Sequence, residues 1–176
     1  VSISVPRNNA QPCTDPARRC TLSTLRIASL SECSVLWRMR AAEGGATLID
    51  VIAYPFITDL EKVLAKYPKE TWGKYENRLK IGGVKITIDG SPQGRTAYFT
   101  TPYLTGGPSG EKNWSGEPGF TQEALDTFVQ KLYDLGLPIN IHVNGDGAVD
   151  MMLRAHERAA ASDLTKDRHV TAIHAQ

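Results

Sequence analysis

Lys85, His142 and His174 each lie in a short apolar run, and each side chain could help to hold a metal ion. The runs are Val84-Lys85-Ile86-Thr87-Ile88-Asp89, Ile139-Asn140-Ile141-His142-Val143 and Val170-Thr171-Ala172-Ile173-His174. Segments this short, apolar and β-branched read as buried strands. The two histidines close their runs, and 174 − 142 = 32 residues separate them, about one strand–helix–strand repeat. Ligands and catalytic groups gather at the carboxyl ends of parallel strands. Two imidazoles on adjacent strands could therefore meet at one ion; the alternative is a pair of core histidines satisfied by hydrogen bonds. An ammonium cannot ligate a cation, but burial lowers a lysine's pKa and makes the amine nucleophilic. Reaction of Lys85 with carbon dioxide would give a carbamate, an oxygen donor able to bridge two ions; the alternative is a lysine paired with Asp89. Alternation along a strand puts Lys85, Thr87 and Asp89 on one face, which suits both readings.

The elements that must position these residues follow from the pattern around them. Residues 47–54 form a β-branched run closed by Pro55. Thr58-Asp59 begins a helix with Leu60, Val63 and Leu64 on one face, ending before Pro68. Residues 79–89 hold the Lys85 strand. Residues 90–120 are rich in Gly, Pro and aromatics without periodicity, and a loop of that length in a compact domain usually has a function. Thr121 caps a helix over 121–135 whose stripe is Leu125, Phe128, Val129, Leu132 and Leu135; Gly136 and Pro138 end it. After the His142 strand and the Asn144-Gly145-Asp146-Gly147 turn, a second helix turns Val149, Met152 and Leu153 inward. The alternation predicts an α/β fold with parallel strands in sequential order and crossover helices.

Asp89 could tie down the loop or orient a ligand, and Arg95 could pair with an anionic substrate group; an Asp-Gly turn and a surface arginine are the plain alternatives. Asp146 is expected to orient a neighbour or cap a helix rather than react. His156 and His169 read as structural or surface residues. Gly90-Ser91-Pro92-Gln93-Gly94 is not a nucleophile elbow, and no phosphate-binding or dinucleotide fingerprint is present.

Four segments in order carry a family resemblance: Lys85 to Ser91, Gly94-Arg95-Thr96-Ala97, His142 to Asp150, and His174-Ala175-Gln176. Together they resemble the amidohydrolase superfamily, specifically the family 3 branch that includes N-substituted formamide deformylases. The resemblance covers residues 48–176. It implies a TIM-like (β/α) barrel, here in part, and a metal-dependent hydrolase of C–N bonds in amides, formamides or cyclic amides. It implies one or two divalent ions, zinc being expected, held by His142, His174 and a carboxylated Lys85, with Asp89 and Arg95 in catalytic roles. The family's first-strand His-x-His and last-strand Asp have no counterpart here, and Ile173 stands where the family often has Glu. The expectation is therefore a part of a larger enzyme with little or no activity alone. The rival expectation is a non-catalytic α/β fragment that self-associates or pairs with a partner through open sheet edges.

Composition sets the remaining bounds. The chain has 176 residues, 41% apolar and 22% charged, with net charge +1. These values suit a globular domain with a real core and give no reason to expect a nucleic-acid or membrane partner. The expected partner is a small amide-type substrate, and the expected location is the cytoplasm. Residues 1–46 lack periodicity and are expected to be an atypical segment, disordered or non-native in origin, ahead of a partial barrel over 47–176; no initiating Met is present. Cys13, Cys20 and Cys33 match no zinc or redox spacing and read as free thiols.

Overall fold

The computed structural model describes residues 25–30, 42, 44–45, 49–161, 163 and 165–176. The three cysteines lie outside them, as does most of the 1–46 segment. Among the described residues the strands are β1 (Leu25–Leu30), β2 (Val51–Pro55), β3 (Leu79–Ile81), β4 (Val84–Thr87), β5 (Ile139–Val143) and β6 (Val170–His174). The helices are α1 (Leu60–Lys66), α2 (Gln122–Leu135) and α3 (Asp146–Ala160). Every strand pairing is parallel, in the orders β1-β2-β3 and β4-β5-β6. β1 belongs to the segment for which no element was expected.

The Lys85 strand is not continuous. Val51 pairs with Leu79, an offset of 28 residues, whereas the parallel bridge Phe56–Lys85 has an offset of 29. One extra residue has entered at Gly82-Gly83, which is the signature of a β-bulge. Gly83 has φ 149°, and a β-carbon there would overlap the Pro138 carbonyl oxygen, so a side chain is excluded twice over. The bulge divides β3 from β4 and links the two three-stranded sheets through the Phe56–Lys85 bridge.

The main core lies between β4-β5-β6 and the helices. Val84, Ile86 and Ile88 join Ile139, Ile141 and Val143 there, against Leu125, Val129, Leu132 and Tyr133 of α2 and Ala148, Met152, Ala155 and Ala159 of α3. These residues recur every two positions on strands and every three or four on helices, as burial of one face requires. Thr121 caps α2 by accepting from the Ala124 N–H, and Gly136 ends it in the left-handed conformation (φ 69°). Leu153, expected inward, is instead exposed on α3, and the helix packs through its alanines. Small residues let α3 lie close to α2, so the buried face follows Ala155 and Ala159 rather than the largest apolar side chain. Among the described residues no helix is long and apolar enough to cross a membrane.

Candidate metal and hydrolase site

With one face of β4 and β5 given to the core, the opposite face presents Lys85, Thr87 and Asp89 beside Asn140, His142 and Asn144. The register pairs Lys85 with Asn140 and Thr87 with His142. Lys85 thus lies two residues, about 7 Å of strand, below the level of His142. It is 4% exposed. Burial lowers its pKa from 10.5 to about 8, and no carboxylate among the described residues pairs with it to raise it back. The pairing with Asp89 that the sequence allowed is not formed.

Asp89 is committed elsewhere. Its carboxylate is fully buried and accepts three backbone N–H groups: Tyr98 at 2.9 Å, Asn144 at 2.9 Å and Gly145 at 2.8 Å. One aspartate thereby ties the end of β4 to the following loop and to the β5–α3 turn. The loop, residues 90–120, is further fixed by its own side chains. Tyr103 donates its hydroxyl to the Ala97 carbonyl at 3.0 Å, and burial pushes its pKa up, with the Asp89 charge adding to the effect. Trp114 donates Nε1 to the Arg95 carbonyl at 2.6 Å, while the Arg95 guanidinium reaches the Thr105 and Gly106 carbonyls at 3.4 Å. Arg95 is thus turned into the loop, with a left-handed backbone of φ 54°.

Asp146 clasps the same loop from the first residue of α3. It accepts from the Thr100 N–H at 2.8 Å and from the Thr100 hydroxyl, and these bonds hold its pKa below the ordinary value of 3.8. Its Oδ1 also accepts from the neighbouring Gly147 N–H at 2.9 Å.

The two histidine rings meet. Their centroids are 4.8 Å apart at an interplanar angle of 76°. Register alone would not give this contact, since His174 pairs with Val143, whose side chain enters the core. The backbone of His174 has φ 81°, which breaks the alternation of β6 at its last residue. His142 Nε2 lies 3.1 Å from the Gly90 carbonyl, 3.0 Å from Asn144 Nδ2 and 4.0 Å from Asp89 Oδ1. Asn144 was not singled out from sequence; its only sequence signal is its place two residues after His142, on the same side of the chain. Among the described residues no three His, Cys, Asp or Glu side chains are grouped as a metal site. The imidazole pair offers two nitrogen donors, and Lys85, which has no carboxylate partner among the described residues, could add an oxygen donor only as a carbamate. His156, read as structural, contacts the Tyr133 hydroxyl between α3 and α2, and His169 is exposed.

Comparison with known proteins bears on the same region. The model of the amidohydrolase family matches residues 28–176, so the likeness begins some twenty residues before the stretch recognised by motif and takes in the second half of β1. Over 98 residues the chain is 36% identical to Protein LONG AFTER FAR-RED 3 of Arabidopsis thaliana and 30% identical to the putative amidohydrolase YtcJ of Bacillus subtilis. Each alignment covers 56% of this chain and 16% or 17% of the relative, so the shared stretch is about a sixth of those proteins. Two solved structures, described as uncharacterized metal-dependent hydrolases from Pyrococcus horikoshii and Pyrococcus furiosus, superpose with TM-scores of 0.61 at 32% and 31% identity. They cover 75% and 76% of this chain and 26% and 27% of their own.

Proposed function

This chain belongs to the amidohydrolase family, in its family 3 branch, and we propose that it is part of a metal-dependent hydrolase of C–N bonds in amides, formamides or cyclic amides. The observation that carries the reading is the 4.8 Å contact of His142 with His174 at the carboxyl ends of adjacent parallel strands. In this reading the parallel strands are consecutive members of a partial TIM-like barrel, and the histidine pair lies at its active-site face.

One or two divalent ions, with zinc expected, would be held by His142 and His174. Lys85 would join them after its amine adds to carbon dioxide, forming the N–C bond of a carbamate and releasing a proton. A pKa of about 8 leaves about one lysine in ten neutral at pH 7 and available for that addition. When bound, such an ion supplies the positive charge that acidifies water and polarises a carbonyl. Asp89 orients the β5–α3 turn, and Arg95 shapes the loop over the site, where a small amide substrate would lie. The Asp89 oxygens already accept from three backbone N–H groups. No His-x-His pair occurs in the sequence to add the nitrogen donors that the family supplies from its first strand, and the chain alone is accordingly proposed to have little or no activity.

Zinc content after dialysis, with and without bicarbonate, tests the site. Zinc should fall by most of its occupancy in both His142→Ala and His174→Ala, and bicarbonate should raise it in the parent but not in Lys85→Ala. Equal zinc in the parent and both histidine variants would remove the reading. A second reading, a non-catalytic piece that pairs through its sheet edges, is favoured by the exposure of Thr171 and Ala172 on β6, an outer strand among the described residues. A metal-free dimer by mass would support it.

A further inference from the structure

Asn144-Gly145 is the one Asn-Gly pair in the sequence, and it forms the turn between β5 and α3. In a flexible chain this dipeptide is chemically labile, because glycine has no side chain to shield its backbone nitrogen from the asparagine amide. Once it has lost its proton, the Gly145 nitrogen can attack Asn144 Cγ. A bond forms between Gly145 N and Cγ, the Cγ–Nδ2 bond breaks, and ammonia leaves. Water then opens the resulting succinimide at either carbonyl, giving aspartate or isoaspartate.

The fold uses both residues of the pair and engages both of the groups that would react. A β-carbon at Gly145 would overlap the Tyr98 carbonyl oxygen, so a side chain is excluded where the 90–120 loop crosses the turn. Asn144 is 4% exposed and donates Nδ2 to the Gly90 carbonyl at 2.6 Å. The Gly145 N–H donates to Asp89 Oδ2 at 2.8 Å, and the Asn144 N–H donates to Oδ1 at 2.9 Å. Loss of the Gly145 proton would break its bond and set a second negative charge against the buried carboxylate.

We propose that Asn144-Gly145 is a latent deamidation site that Asp89 holds closed, by occupying the N–H of the nitrogen that would attack. The inference stands whether or not an ion binds at His142 and His174. Opening of the turn carries a chemical consequence. Conversion replaces the Asn144 amide donor by a carboxylate, which would face the Gly90 carbonyl as acceptor against acceptor. Isoaspartate also adds a carbon to the main chain between the two N–H groups that share Asp89. The closed turn cannot re-form with the same bonds, so one long opening leaves a permanent mark beside His142, whose Nε2 is 3.0 Å from the Asn144 amide.

The test uses the full chain, folded in mildly alkaline buffer and unfolded in guanidinium at the same pH. Peptide mapping by mass spectrometry reads conversion at Asn144, and hydrogen exchange reads the Gly145 amide. Deamidation is much slower than reclosing, so the folded rate is the open-chain rate multiplied by the open fraction, which the exchange measures independently. Folding should slow conversion at least as much as it slows Gly145 exchange, and by at least about tenfold, the worth of one hydrogen bond to a charged group. Asp89→Ser, which removes the charge but keeps a polar side chain, should speed conversion and Gly145 exchange together by several-fold. An unprotected Gly145 amide in the folded parent would overturn the proposal, and so would conversion faster than the open fraction allows. A folded Asp89→Ser chain that converts no faster than the parent would assign the protection to burial alone and overturn it too. If Asp89→Ser does not fold, the comparison within the parent decides.

Discussion

Replacing Lys85 by Met should stabilise the chain at neutral pH, and the gain should disappear in alkali. Lys85 is buried, and its pKa falls from 10.5 to about 8 through burial. Below pH 8 the ammonium is charged in both folded and unfolded chains, and the folded state carries the whole desolvation cost. The difference of about 2.5 in pKa, at about 1.4 kcal/mol each, is about 3 kcal/mol. Between pH 8 and 10.5 the folded chain has released the proton and the unfolded chain still holds it, so the parent gains stability as pH rises. Above 10.5 both forms are neutral and the cost is gone.

Methionine nearly matches lysine in length, and swaps that conserve volume usually cost less than about 1.5 kcal/mol. Urea midpoints of the parent and Lys85→Met, measured from pH 6 to pH 11 in buffers freed of carbon dioxide, should therefore differ by about 2–3 kcal/mol in favour of the variant below pH 8. The curves should converge by about pH 10.5. A variant less stable at pH 7, or a difference constant with pH, would refute the claim that this amine is buried without a compensating charge. It would also take away the reason for expecting it to react with carbon dioxide.

Asp89→Ala should cost at least about 3 kcal/mol in the same urea assay, because three backbone N–H groups lose a buried acceptor at about 1–3 kcal/mol each; a loss below about 1 kcal/mol would show that the loop and turn hold without it. The Asp146–Thr100 clasp should be intact at pH 5–7 and lost only as pH falls through a value below 3.8, since Thr100 lowers the folded pKa. Hydrogen exchange at the Thr100 amide should lose protection in Asp146→Ala at pH 6, whereas equal protection in parent and variant would assign the clasp no role.

The sequence made some of this legible and hid the rest for physical reasons. The α2 helix could be read because cap, stripe and left-handed glycine are all local signals between Thr121 and Gly136. The order and parallel pairing of the Lys85, His142 and His174 strands followed from the strand–helix alternation. The break at Gly82-Gly83 was invisible because it depends on how Pro138, fifty-five residues later, approaches the backbone. β1 escaped notice because its register with β2 is a long-range fact and its own six residues carry little pattern. On α3, pattern reading favoured Leu153 by size, whereas packing against α2 favoured alanine.

In the site, residue type and spacing were enough to bring His142 and His174 to one end of neighbouring strands, but not to say how the rings meet. That depends on a single backbone angle at His174. Asp89 and Arg95 looked chemical because acids and bases next to a glycine-rich loop often are. Both are engaged with backbone groups, Asp89 accepting N–H bonds and Arg95 donating to loop carbonyls. Among the described residues Lys85 has no carboxylate partner, and His142 Nε2 has a carbonyl and an amide within reach. On this face the Asp89 carboxylate is bound by three backbone N–H groups, while His142 Nε2 has those two polar neighbours and Lys85 is buried with its pKa lowered. In the proposed site these last two are the groups whose partners a bound ion would change.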